Sequence, residues 1–422
     1  MRTNIAVAFA LASLAGCGGS DAIPQSMPGV VRSSGSVPGT ASGYTVLFSF
    51  GGDRGAYPDS LTVLNARSGP SFYGATAAGG TANSGVAFDL KTDGKERVLY
   101  DFSGGENGSA PSALTFLHGT FYGTTAYTEV VSGHFEGGTV FALSKSGAEN
   151  TLYTFQGSPD GSTPVAAPTA LNGLLYGTTQ DGGASPCPSL GNEGCGTVFS
   201  ITTTGQESVL HSFNGFPYDG AIPESTLLHL NDTFYGTTGW GGSGGCYGSR
   251  EEGCGTIFSI TPSGQEQVLH SFKGGSDGAY SLSDLVNVNG TLYGTTEQGG
   301  RNCYGAGCGT VFSITPNGNE TVIYRFKGGR DGEYPLSGLT LLNGTLYGTT
   351  SEGGGTGCQG VGCGVIFSVT ATGKEQVLYH FTGVPPDGKF PESDLTVLNG
   401  ALYGTTENGG SRHHGIVFEL IP

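Results

Sequence analysis

Tyr44-Thr45-Val46-Leu47-Phe48-Ser49-Phe50 reads as a β-strand with no partner ahead of it. Its pattern matches Gln267-Val268-Leu269-His270-Ser271-Phe272, the last strand of a four-strand unit further along the chain. The final unit shows how such a module is built. Asp394-Leu395-Thr396-Val397-Leu398 alternates polar and apolar residues, and Asn399-Gly400 is the strongest two-residue hairpin signal. Ala401-Leu402-Tyr403-Gly404-Thr405-Thr406 returns, and after a glycine-rich loop His414-Gly415-Ile416-Val417-Phe418-Glu419-Leu420 forms a third strand. Earlier units add a second tight turn, such as Thr261-Pro262-Ser263-Gly264-Gln265, and then a fourth strand. The sequence thus opens on a fourth strand and stops at Pro422 just after a third. A closed ring reconciles the two ends, because the N-terminal strand completes the last unit and no sheet edge is left exposed.

The number of units follows from Tyr-Gly-Thr-Thr and its near copies, with tyrosines at Tyr73, Tyr122, Tyr176, Tyr235, Tyr293, Tyr347 and Tyr403. Intervals of about 50–60 residues suit repeated modules too small to bury a core alone. The expected fold is all-β: a seven-bladed β-propeller over 44–422, four antiparallel strands per blade. The recurrent Val-Phe or Ile-Phe of the third strands, such as Val198-Phe199, is the expected core between blades. A solenoid would need capping repeats, and none is legible.

Composition agrees. Gly is 79 of 422 residues, yet there are 23 Phe and 19 Tyr, so the glycines are turn residues rather than disordered linker. A net charge of −17 excludes a nucleic-acid partner.

The N-terminus reads as a processing signal. Arg2 precedes a short apolar stretch, and Leu14-Ala15-Gly16-Cys17 resembles a lipobox. The expectation is a signal peptide over 1–16 and a lipidated Cys17. A Ser/Gly/Pro-rich tether follows to residue 43. The protein is then exported and lipid-anchored at the bacterial outer membrane or cell surface. The other eight cysteines fall in local pairs, Cys187/Cys195, Cys246/Cys254, Cys303/Cys308 and Cys358/Cys363, each between a Tyr-Gly-Thr-Thr strand and the next third strand. In an exported chain these read as disulfides. Their unequal spacing and lack of neighbouring histidines argue against zinc. No metal or other cofactor is expected.

In a four-stranded blade the tight first-to-second and third-to-fourth turns share one end. The long connections, with all four cysteine pairs, share the other. This second rim is the expected contact surface, since binding residues favour loops on a rigid scaffold. The Asp-Gly pairs of its fourth-to-first connections (Asp160, Asp219, Asp277, Asp331, Asp387) read as turn residues that cap their own backbone, with a cation-binding ring near the channel mouth as the alternative. Its aromatics, Trp240, Tyr247, Tyr304, Tyr280, Tyr334 and Phe390, are candidate stacking platforms for a sugar ring; the alternative is that each packs down on its own blade. Glu96, Glu149, Glu207, Glu266, Glu320 and Glu375 recur in one register and read as structural. His211 and His270 take a slot that other blades give to tyrosine. No nucleophile elbow, zincin or phosphate-loop motif is present, so no catalytic residue is assigned. Glu224, Asp284, Glu392 and Asp394 start inner strands near the channel and could supply a glycosidase-like carboxylate pair.

The succession Leu-Tyr-Gly-Thr-Thr, Gly-Gly, Gly-Cys-Gly-Thr-Val-Phe-Ser-Ile-Thr, Gly and Val-Leu-His-Ser-Phe resembles the Gloeobacter–Verrucomicrobia ("GloVer") tandem repeat of exported, variously anchored bacterial proteins. The likeness covers about Tyr44 to Pro422. The first two units depart most: Gly74-Ala75-Thr76 replaces Gly-Thr-Thr, and the 129–134 loop lacks Gly-Gly and cysteines. The resemblance implies surface display and a repeat fold, and it carries over no catalytic residue. The expectation is a monomeric envelope propeller binding a glycan or an envelope protein through its stapled rim. A polysaccharide hydrolase or lyase, or a scaffold subunit of an envelope complex, is the alternative.

Overall fold

The computed structural model describes residues 43–66, 69–131, 134–187, 194–246, 253–300, 303 and 305–422. Seven antiparallel sheets follow one another around a ring. Blade 3 is typical, with strands Thr169–Leu171, Leu174–Thr179, Thr197–Thr202 and Glu207–Ser212 in that order from the axis outward. Blade 7 comprises Thr396–Leu398, Ala401–Thr406 and Ile416–Leu420, and its outermost strand is Tyr44–Ser49 from the other end of the chain. Val46 pairs with Phe418 and Ser49 with Ile416. The expected closure is therefore present.

A phenylalanine ladder runs through every junction. Phe155 ends the fourth strand of blade 3's predecessor and meets Phe199 of blade 3 edge to face at 5.1 Å. The same contact joins Phe213 to Phe258, Phe272 to Phe312, Phe326 to Phe367, Phe381 to Phe418, Phe50 to Phe88 and Phe102 to Phe141, at 5.0–5.4 Å. Edge-to-face geometry suits the ring quadrupoles and adds to the apolar burial. Phe50 thus does at the N-terminal strand what its counterparts do elsewhere.

The repeated tetrapeptide now has a residue-by-residue reason. Its glycine makes room for the third-strand phenylalanine: a Cβ at Gly177 would lie 2.6 Å from Phe199 Cζ, and one at Gly404 2.6 Å from Phe418 Cζ. The first threonine reaches the next blade, as Thr178 Oγ1 donating to Ser225 O at 3.3 Å and Thr237 Oγ1 to Ser283 O at 3.0 Å. Thr405 makes the closing bond to Pro58 O at 3.1 Å. The second threonine bonds within its blade, as Thr179 with Thr197 at 2.8 Å. These buried threonine hydroxyls are thereby satisfied; blade 1, with Ala75 in the first position, has only the second.

Each third-to-fourth pairing carries a bulge. In blade 3, Val198 pairs with His211 and Phe199 with Val209, which leaves Leu210 unpaired. Bulges bend the strand and increase its twist. The bulge also receives the neighbouring blade: a Cβ at Gly264, in the third-to-fourth turn of blade 4, would sit 2.6 Å from Leu210 O. The same approach recurs from Gly205 to Leu152 and from Gly318 to Leu269. These turns dock sideways on the preceding outer strand. The pairings of Leu171 with Leu174, Leu174 with Thr202 and Ile201 with Glu207 keep both tight turns of blade 3 at one end, as expected, and the third-to-fourth turn also packs against its neighbour.

Candidate functional site

Disulfides close four of the long loops: Cys187–Cys195, Cys246–Cys254, Cys303–Cys308 and Cys358–Cys363, with Cα separations of 5.1–5.3 Å. They pack into the interblade core beside Phe213, Phe272 and Phe326. Disulfides on this scale belong to oxidising compartments. Among the described residues no helix is long and apolar enough to cross a membrane. Cys17 and the tether lie outside the described residues.

The aromatic candidates separate. Trp240 and Tyr280 come together, with ring centroids 5.3 Å apart and planes tilted by 48°. Both are half-buried, each packed on one of two core clusters. Phe390 lies under the Lys389 ammonium at 5.3 Å. Tyr280, Tyr334 and Phe390 all hold positive φ, of 58°, 56° and 58°, at the turn into the inner strand. Tyr247 and Tyr304 lie outside the described residues. Sequence reading passed over Tyr218, which is 88% exposed beside Asp219.

The ring encloses a cavity of about 400 Å³ on its axis, lined by the starts of the innermost strands. Its carboxylates are Asp59, Glu224, Asp284, Glu392 and Asp394. Four of these were legible as strand starts; Asp59 was not, because it precedes an inner strand that begins one residue sooner after its proline. The sevenfold pattern breaks here. Asp284 of blade 5 accepts a 2.6 Å bond from Thr226 N, and Asp394 of blade 7 one of 2.6 Å from Gly338 N. Asp59 accepts from Ser60 N at 2.6 Å and Ala113 N at 3.0 Å. A Cβ at Gly338 would lie 3.0 Å from Asp284 Cβ and 3.0 Å from Asp394 Oδ1. Gly338 of blade 6 lies between the two: Asp394 reaches it with its carboxylate, whereas Asp284 presents its Cβ there and turns its carboxylate to blade 4.

Enclosure raises the pKa of these groups, since it disfavours the charged form. Burial, then Asp394, holds Asp284 well above the ordinary carboxylate range. Burial, with Asp59 adding to it, pushes Asp394 up to about 6. Glu224 is pushed up to about 7 by burial, against the hydrogen bond from Gln180. Glu392 opens onto the channel, yet enclosure by the surrounding walls, then Glu407, Glu297 and Glu352, pushes it up to about 8. Glu297, Glu352 and Glu407 are themselves raised, burial again first. The mouth is thus a funnel of carboxyls, several of them protonated near neutrality. Paired carboxyls with separated pKa values are the arrangement that acid–base chemistry uses.

The Asp-Gly aspartates lie elsewhere. Asp160 Oδ2 accepts from Gln156 N at 3.0 Å and Tyr153 Oη at 2.9 Å; Asp331 takes Lys327 N at 2.8 Å and Tyr324 Oη. They close the exit turn of the outermost strand, so the turn reading holds and a ring of them at the channel mouth does not form. Cys303, Cys308 and Glu333 also lie close together, but both sulfurs are bonded to each other.

No curated protein matches the chain. Among solved structures, the computationally designed Ika8 protein aligns with a TM-score of 0.46 at 13% identity, over 89% of this chain and 99% of its own. A gluconolactonase from Xanthomonas campestris aligns with a TM-score of 0.42 at 9% identity, over 90% and 89%. The GH93 alpha-L-arabinofuranosidase of Fusarium graminearum, solved with arabinobiose, gives 0.44 at 12%, over 78% and 96%. The sequence profile of the Gloeobacter/Verrucomicrobia repeat matches residues 33–188 and 187–418. Those two spans take in every blade, and the chain belongs to the Gloeobacter/Verrucomicrobia repeat family.

Proposed function

We propose that this protein is an exported, lipid-anchored propeller that binds a neutral or amino-bearing glycan at the carboxyl-lined mouth of its stapled face. The observation that carries the reading is the gathering of Asp59, Glu224, Asp284, Glu392 and Asp394 around the axial cavity. Carboxyls that exist in both protonation states both donate to and accept from sugar hydroxyls. A funnel of this sign, on a chain of net charge −17, disfavours acidic polysaccharides. Trp240 and Tyr280, on long connections of the same face, add an apolar edge on which a ring can stack. Diacylation at Cys17 would tether the ring roughly 25–30 Å from the lipid, which suits display of that face to envelope polymers.

A glycan and cell-wall fragment screen on the mature protein tests this, with Asp394→Asn, Glu392→Gln and Trp240→Ala in parallel. Asp394→Asn keeps the acceptor for Gly338 N and removes the titrating proton. At least a ~10-fold weakening by both carboxyl variants is expected, the scale of one charge-assisted hydrogen bond. Preference for acidic glycans, or binding untouched by both variants, would overturn the reading. Hydrolysis or elimination is a second reading, favoured by the Asp284–Asp394 pair alone; it requires product formation that Asp394→Asn abolishes while binding persists.

A further inference from the structure

One kind of junction recurs around the ring, and its members differ in a telling way. The carboxylate that opens each fourth strand reaches, across the docked turn, the outer strand of the preceding blade. It meets there a ring residue at the slot beside the bulge and, in most junctions, the Asp of Asp-Gly. Glu207 faces Tyr153 and Asp160; Glu375 faces Tyr324 and Asp331. At the closing junction Tyr44 stands where the glutamate would be and bonds Asp387 at 2.8 Å. Elsewhere the ring meets its buried glutamate with a positive or donating group. Arg54 pairs with Glu96, whose side chain is fully buried, and Asn107 Nδ2 donates to Glu149 Oε2 at 3.1 Å.

Two consecutive junctions have neither arrangement. His211, Asp219 and Glu266 meet between blades 3 and 4, and His270, Asp277 and Glu320 between blades 4 and 5. In each set the three ligand atoms lie within 4.8 Å of one another. Nε2 of His211 is 3.1 Å from Asp219 Oδ2, and Nε2 of His270 is 3.3 Å from Asp277 Oδ2. The histidine and aspartate side chains are 10–22% exposed, so water reaches them while the protein holds them. Oε1 of Glu266 and of Glu320 is buried without a hydrogen-bond partner among the described residues, as it is in Glu207 and Glu375, so the histidine is what distinguishes these two junctions. Asp219 is held by Asn214 N at 2.9 Å and Asn214 Nδ2 at 3.1 Å on Oδ2 and by Gly220 N at 2.7 Å on Oδ1, and Asp277 by Lys273 N at 2.9 Å on Oδ2. Such outer bonds to a carboxylate are typical supports for a metal ligand.

We infer that these two junctions are divalent transition-metal sites, each offering one imidazole nitrogen and two carboxylates, with water to complete the shell. One nitrogen and two oxygens suit Zn²⁺ and its borderline neighbours rather than Ca²⁺, which takes six to eight oxygens. Tetrahedral bonds of ~2.0–2.1 Å place ligand atoms about 3.3–3.4 Å apart, so closing each set requires a contraction of up to about 1.5 Å. The Arg54–Glu96 junction is an independent sign that this pocket accepts a cation on its buried glutamate. The ion would staple adjacent blades where tyrosine, arginine or asparagine does so elsewhere. The sites lie among outermost strands, apart from the axial cavity, and do not depend on the glycan reading.

The test uses the mature, chelator-treated protein titrated with Zn²⁺, by equilibrium dialysis and by thermal unfolding, with Co²⁺ absorption as a report on the donor set. His211→Tyr and His270→Tyr, singly and together, convert each junction to the set that neighbouring junctions already fold with. Two Zn²⁺ per chain are expected, one lost with each substitution and both in the double variant, whose metal-free stability matches the parent. Ca²⁺ should not compete. Absence of binding, or binding that the double variant retains in full, would overturn the inference; the latter would place the metal on the channel carboxyls.

Discussion

Glu207→Gln isolates the electrostatic cost that a repeated glutamate imposes on the ring. Glu207 opens the outer strand of blade 3, and its Oε1 is buried with no hydrogen-bond partner among the described residues. It faces Asp160, which already accepts from Tyr153 Oη and Gln156 N. Burial first, and Asp160 second, push its pKa from an ordinary 4.5 up to about 7. A folded-state pKa above the unfolded one means that folding favours the protonated acid. That contribution is complete below about pH 4.5, declines as pH rises toward 7, and is lost above it. Unscreened, the shift would be worth about 3 kcal/mol; the side chain is only half-buried, so screening by water leaves about 1–2 kcal/mol. Glutamine keeps the shape and removes the charge. The variant should match the parent at pH 5 and exceed it by about 1–2 kcal/mol at pH 8.5. Urea unfolding at several pH values is the better assay, since in a domain this large 1 kcal/mol moves the Tm by only ~1–2 °C. A gain independent of pH, or a loss at pH 8.5, would refute the reasoning that an unpaired charge is stored at this junction.

Phe50→Ala should cost about 3–5 kcal/mol although it lies near the start of the described chain, because its ring is fully buried against Phe88; a loss under ~1 kcal/mol by denaturant unfolding would show that the closing blade is not cooperative with the rest. Gly177→Ala forces a methyl toward Phe199 Cζ and should cost about 1–3 kcal/mol, read the same way. Replacing both Cys246 and Cys254 by serine should cost about 2 kcal/mol, as expected for a loop closed over 8 residues, without unfolding the ring at room temperature. Thr178→Val should cost about 1–2 kcal/mol by leaving Ser225 O without its interblade donor.

The blade, its order and the closure at Val46 and Phe418 were legible because each rests on local signals. Asn-Gly turns, alternating strands and a tetrapeptide repeated seven times survive being read one segment at a time. The reason for the tetrapeptide was not legible: Gly177 is glycine because of Phe199, and Thr178 is threonine because of a carbonyl 47 residues on. The candidate site divides likewise. Glu224, Asp284, Glu392 and Asp394 could be placed at the starts of inner strands, but their meeting with Asp59 around one cavity depends on how the blades close into a ring. The grouping of both tight turns at one end was legible, since antiparallel order alone sets it, but the packing of the third-to-fourth turn on the neighbouring blade was not. The bulge at Leu210 twists the outer strand, and the turn at Gly264 docks against it.

Sequence alone determined the repeated unit and the ring, since hydrogen-bond periodicity and turn chemistry act over a few residues and a strand lacking its hairpin has only one place to pair. The tertiary structure alone decided which charges meet. His211 and Glu266 stand far apart along the chain and belong to different sheets; twist, accumulated strand by strand across each blade, is what brings the outer edge of one against the next.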